Sequence, residues 1–264
     1  MQRFNSRIGR RALLVGSAAL VAGGPPAMAA AATGAVLVHG KQDGPAGSLS
    51  SVGAKLSAAG LAVEAPTMPW ARGRYLSGNW AEAMGLIAGA VKSLQGRGAT
   101  SVILVGHSMG CPAILSFASR ASMPLAGLAL TAPGHNPTFF YESGLTRESV
   151  DRARALVKAG KGAEAGTFAD SNQGSTSSVT LSAADYLSFL DPMGPAVMGR
   201  YVGSIKVPVL LAVGTSDGGA MGFAKQFGRA LLKGPKSRYV EVAAGHGGTP
   251  GQAADAIAEW AKSL

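Results

Sequence analysis

This 264-residue chain has few side chains that would hold a metal or a crosslink. It has one cysteine, Cys111, and four histidines, His39, His107, His135 and His246, scattered without ligand spacing. No internal disulfide and no metal site is expected from that set. Nucleotide binding is not expected either, since no G-x-G-x-x-G opens a helix after the first apolar strand, and no cofactor is expected. Charge is sparse, at 14% of residues, where about 25% is usual. Acidic side chains are the scarcer sign, 14 against 24 Lys and Arg, for a formal net charge of +10. The basic residues are spread thinly and never interleave with stacking aromatics, so they read as a solvated surface and nucleic acid is not expected as a partner.

The N-terminus has the pattern of an export signal. Arg3, Arg7, Arg10 and Arg11 precede an apolar segment, Ala12 to Ala22. That segment is too short to span a bilayer, which takes about 20 residues. Ala27-Met28-Ala29 then offers an A-x-A cleavage site. Residues 1–29 are therefore expected to be a signal peptide, and the adjacent Arg10 and Arg11 suit the twin-arginine type, with ordinary secretion left open. The product would be periplasmic or secreted, with no stable membrane insertion after the signal is removed. Its oligomeric state is not legible.

Beyond the signal, apolar runs alternate with helix-length segments. Strands are expected at Gly34 to His39, Leu61 to Ala65, Ser101 to Val105, Ala126 to Thr131, Val207 to Val213 and Ser237 to Val242. Helices are expected over Ser48 to Ala59, Asn79 to Leu94, Pro112 to Ser119, Gly222 to Leu232 and Gly251 to Ser263. Such alternation predicts one α/β domain over residues 30–264, a mostly parallel sheet with helices on both faces. Near-continuous apolar strands fit burial on both sides. Residues 135–204 break the pattern and read as a small cap insertion. It holds the aromatic cluster Phe139-Phe140-Tyr141, a helix over Thr146 to Ala159, and a Gly/Ser/Thr-rich stretch, Gly162 to Thr180, expected to be a surface loop.

Two pentapeptides match G-x-S-x-G: Gly106-His107-Ser108-Met109-Gly110 and Gly214-Thr215-Ser216-Asp217-Gly218. The match is weak alone in a chain rich in glycine and serine. A nucleophile elbow also needs a buried strand before the serine and a helix at once after it. Val102 to Val105 supply the strand and Pro112 suits a first helical turn. Ser216 is followed by Gly218-Gly219, a poor helix start. Ser108 is the candidate nucleophile.

With that elbow in place, the chain resembles the α/β-hydrolase superfamily from about Ala35 to Ala261. The resemblance implies the order nucleophile, acid, histidine. Asp217, just after the strand ending at Val213, stands where the family has its acid. His246, after the strand ending at Val242, stands where it has its base. His39-Gly40-Lys41 looks like the family's H-G-x loop, which implies oxyanion donors at the amides of Met109 and Lys41, with Gln42 as the other choice for the second. Bland roles stay open: Asp217 as a turn residue or helix cap, His246 as a loop histidine, Asp191 as a rival acid. His107 reads as elbow packing, His39 as ordering the oxyanion loop, His135 as a cap residue near the mouth, and Cys111 as buried behind the elbow.

Serine chemistry of this kind requires an imidazole to take the hydroxyl proton and a carboxylate to hold the imidazole. The resemblance implies a serine hydrolase acting on a small or medium uncharged carboxylic ester. Trp70, Tyr75, Phe139 and Phe140 are candidate pocket residues, with seating of the cap as their other reading. Acyltransferase, thioesterase and perhydrolase activities would use the same triad. A non-catalytic binding protein on this scaffold is the alternative of a different class.

Overall fold

The computed structural model describes Met1 and residues 33–264, so the expected signal peptide, apart from Met1, lies outside the described residues. In chain order the elements are β1 (Thr33–Val38), α1 (Ser50–Ala58), β2 (Ala62–Glu64), α2 (Trp80–Gly96), β3 (Ser101–Ser108), α3 (Gly110–Ala118) and β4 (Leu125–Pro133). The cap follows, with α4 (Pro137–Glu142), α5 (Arg147–Lys158), β5 (Ala165–Asn172), β6 (Ser175–Ser182) and α6 (Ala183–Leu190). The chain then returns through β7 (Val209–Gly214), α7 (Gly218–Leu231), β8 (Arg238–Val242), α8 (Thr249–Gln252) and α9 (Ala254–Lys262).

Six strands form one sheet in the order β2-β1-β3-β4-β7-β8, every pairing parallel. The two-residue period of a strand sends alternate side chains to opposite faces. Val36, Val38 and Leu104 therefore pack under α2 and α3, while Ala35, Leu37, Ile103 and Val105 pack against α1 and α9. Both faces are covered, which explains strands that read as unbroken apolar runs. The first of these cores continues into the cap through Val150, Phe168, Tyr186 and Phe189.

The stretch from Gly162 to Thr180 is not a loop. It folds as the antiparallel hairpin β5–β6, with Phe168 opposite Val179 and Asn172 opposite Ser175. Gln173 and Gly174 turn it, with φ of 48° and 81°. One face is solvated Ser and Thr, which gives the loop-like composition, while Phe168, Asp170 and Val179 face inward. Helix α6 was not expected. Ser182 caps it by accepting the Asp185 N–H at 3.1 Å, an S-x-x-D start signal.

Candidate active site

β3 ends on Ser108, whose φ is +52°, a left-handed conformation that costs an L-residue about 1 kcal/mol or more. The turn is forced by crowding. A Cβ on Gly110 would lie 1.9 Å from the Val38 carbonyl oxygen, and one on Gly106 would lie 2.7 Å from the Gly110 carbonyl carbon. Glycine on both sides lets β3 turn straight into α3 with Ser108 at the bend. Ser216, the other match, is exposed and lies outside the cavity that holds Ser108.

His246 and Asp217 come from the loops after β8 and β7. The Ser108 hydroxyl lies 2.8 Å from His246 Nε2, and His246 Nδ1 lies 2.6 Å from Asp217 Oδ2. Asp217 is also a helix cap: its Oδ1 accepts the Ala220 N–H at 3.1 Å and starts α7. That cap is why α7 begins at Gly218 despite the glycine pair expected to start a helix badly. Burial alone would raise the Asp217 carboxyl, but hydrogen bonds from His246 and Ala220 hold it below the usual carboxylate range. Asp191 pairs instead with Arg154 at 2.7 Å.

The remaining histidines brace the site. His39 hydrogen-bonds through Nδ1 to the Gly40 carbonyl at 2.8 Å and accepts the Met68 N–H on Nε2 at 3.1 Å. Its burial lowers its pKa. His107 contacts the His246 carbonyl through Nε2 at 3.2 Å. Burial, with His246 adjacent, pushes His107 down to about 4, so it stays neutral as a donor to that loop. His135, at φ +65°, hydrogen-bonds to the Phe189 carbonyl at 2.8 Å, and burial pushes it down to about 3. Cys111 is buried behind the elbow, and burial raises its thiol pKa.

The candidate oxyanion donors are now distinguishable. The Gln42 N–H donates to the Trp70 carbonyl at 2.9 Å and is therefore committed. The N–H groups of Lys41 and Met109 have no protein acceptor among the described residues. Both residues line the cavity beside Ser108.

That cavity encloses about 770 Å³ and opens onto Ser108 and His246. Phe139, Phe140, Met198, Phe223 and Phe227 supply apolar wall, and Asn136, Asn172 and Gln173 supply polar wall. Trp70 and Tyr75 do not line it, contrary to expectation. Trp70 is fully buried, stacked on Trp80 at 5.9 Å and bonded through Nε1–H to the His39 carbonyl. The Tyr75 hydroxyl donates to Asp170 inside the cap. The residues missed from sequence are mostly those of α7 and the hairpin tip, which reach the site only through the fold. Among the described residues, no group of three or more His, Cys, Asp or Glu side chains could hold a metal ion. Among those same residues, no helix is long and apolar enough to cross a membrane.

No protein-family model matches this chain, and neither does any curated protein. Solved structures do. A monoacylglycerol lipase from Paleococcus ferrophilus superposes with a TM-score of 0.62 at 22% identity, covering 87% of this chain and 93% of that one. The esterase domain of a Rhodothermus marinus protein gives 0.56 at 16% identity, over 90% of each chain. A thioesterase domain from the curacin biosynthetic pathway gives 0.53 at 19% identity, over 88% and 91%. The fold is that of the α/β hydrolases. In α/β hydrolases the nucleophile precedes the acid and the acid precedes the histidine. Ser108, Asp217 and His246 follow that order, and here they form one hydrogen-bonded chain.

Proposed function

We propose that this protein is a serine hydrolase that cleaves a small or medium uncharged carboxylic ester through an acyl-enzyme on Ser108. The observation that carries the reading is the unbroken relay from Ser108 Oγ to His246 Nε2 and from His246 Nδ1 to Asp217. Ser108 Oγ attacks the carbonyl carbon while its proton passes to His246 Nε2. Asp217 holds the imidazole in the tautomer that can accept that proton, and stabilises the imidazolium. The oxygen that becomes negative is met by the N–H groups of Met109 and Lys41, each worth about 3 kcal/mol in such a site. His246 then returns the proton to the departing alkoxide, and water repeats the sequence on the acyl-enzyme.

A mostly apolar cavity over the serine supports an uncharged acyl group. The arginine-led apolar segment within residues 1–29 supports export to the periplasm or beyond. A fluorophosphonate probe tests the mechanism: it should label Ser108, identified by peptide mass, and labelling should abolish hydrolysis of p-nitrophenyl esters of varied chain length. A folded protein that neither takes the probe nor cleaves any of these esters would leave the scaffold as a binding module.

A further inference from the structure

The side chain of Lys41 has no part in the steps above, yet it is buried and charged. Its ammonium lies 2.5 Å from Asp170 Oδ1 and donates to the Ser171 carbonyl at 3.0 Å. The two charged side chains are 3% and 0% exposed. The other Asp170 oxygen accepts the Tyr75 hydroxyl, and the Phe140 ring closes over the ammonium at 5.9 Å. Asp170 belongs to β5 of the cap, 129 residues away. The pair therefore joins the loop after β1 to the hairpin that overhangs the cavity.

The same loop is tied down on its other side. Residues 39–43 are laced to residues 68–72 through the Met68 N–H to His39, the Trp70 Nε1–H to the His39 carbonyl, the Gln42 N–H to the Trp70 carbonyl and the Arg72 N–H to the Asp43 carbonyl. It also presses on the nucleophile, since a Cβ on Gly40 would lie 2.9 Å from the Ser108 Cβ. Of residues 39–43, Lys41 is the one that lines the cavity, and its N–H has no protein acceptor among the described residues.

A buried ion pair is a weak stabiliser, because the cost of removing two charges from water offsets most of their attraction. A well-packed apolar pair would hold the cap to the core as firmly. What the ion pair adds is direction, through its hydrogen bonds. We propose that Lys41 and Asp170, braced by Tyr75, act as positioning residues that fix the Lys41 amide at the oxyanion site by clamping its side chain to the cap hairpin. This rests on the serine-hydrolase reading and assigns the cap a role in the chemical step as well as in forming the pocket wall.

The test is Lys41→Met with Asp170→Asn, which removes both charges, keeps the aliphatic stem and leaves Tyr75 an acceptor. Turnover of p-nitrophenyl butyrate and affinity for a phenylboronic acid are measured together with the melting temperature. The boronate adduct needs the oxyanion donors and the ground-state ester does not, so the two respond differently to a misplaced amide. The expected result is a kcat lower by roughly 10–100-fold, boronate affinity lower by a similar factor, and KM changed little. A double variant with wild-type kcat and boronate affinity overturns the proposal, as does a change confined to KM. If the double variant fails to fold, Tyr75→Phe decides: kcat and boronate affinity should fall together, and unchanged values of both overturn it. Wild-type protein that takes no fluorophosphonate and cleaves no ester defeats the hydrolase reading instead, whatever the variants do.

Discussion

Asp217 holds His246 with one carboxylate oxygen and the first turn of α7 with the other, at 2.6 and 3.1 Å. Substitution can separate the two jobs. Asn is as good a helix cap as Asp, but its amide cannot hold the productive imidazole tautomer. Asp217→Asn should therefore melt close to wild type while kcat falls by about 10⁴. Asp217→Ala should lose the same activity and also about 1 kcal/mol of stability with the cap. Thermal unfolding beside ester kinetics reads both; an Asn variant with near wild-type turnover would remove Asp217 from the triad.

Ser108 combines a left-handed φ of +52° with the hydrogen-bonded chain to His246 and Asp217. Ser108→Ala should abolish turnover and leave the fold intact. Ser108→Gly should abolish turnover and raise stability by about 1 kcal/mol, since glycine adopts φ near +52° without penalty. Urea titration and probe labelling check both. The assignment fails if Ser216→Ala is the silencing change and Ser108→Ala keeps most activity.

The two cap phenylalanines should behave differently. Phe139 is 56% exposed at the cavity wall, so Phe139→Ala should shift acyl-chain preference or KM with little loss of melting temperature. Phe140 is half-buried between His135, at 5.7 Å between ring centroids, and Phe139, at 6.2 Å. Phe140→Ala should cost stability, on the order of 1–3 kcal/mol, as well as altering KM. Equal melting temperatures and unchanged chain preference for both would remove the cluster from substrate binding.

Acid should destabilise this fold well above the range where carboxylates titrate. His107 and His135 have folded-state values of about 4 and about 3, below the ordinary 6.5, so the unfolded chain binds protons first. Their contribution is complete above pH 6.5 and is lost as pH falls toward those values, at about 1.4 kcal/mol per pH unit for each histidine. Asp217, also lowered, adds a loss in the same direction at more acid pH. Urea unfolding at pH 7, 6 and 5 should show this slope, and His135→Gln should reduce it. Stability that stays flat from pH 7 to 5 would contradict the buried, neutral state of both rings.

Features whose physics is local could be read from the order of residues. The strand–turn–helix bend at Ser108 was legible because a buried strand, a glycine-flanked turn and a helix start lie within some 20 consecutive residues. The parallel sheet was legible because a strand covered on both faces must be apolar at every position. Which side of a segment meets what depends on long-range packing. Trp70 and Tyr75 looked like pocket residues by type and position, and packing turned one into the core and the other toward the cap. The β5–β6 hairpin was hidden because a two-stranded sheet with one solvated face has the composition of a loop, and its register depends on Phe168 meeting Val179. The Lys41–Asp170 pair joins residues 129 apart, and no local pattern marks a lysine for burial. Its charge becomes tolerable only where the folded cap brings a carboxylate and a carbonyl to it.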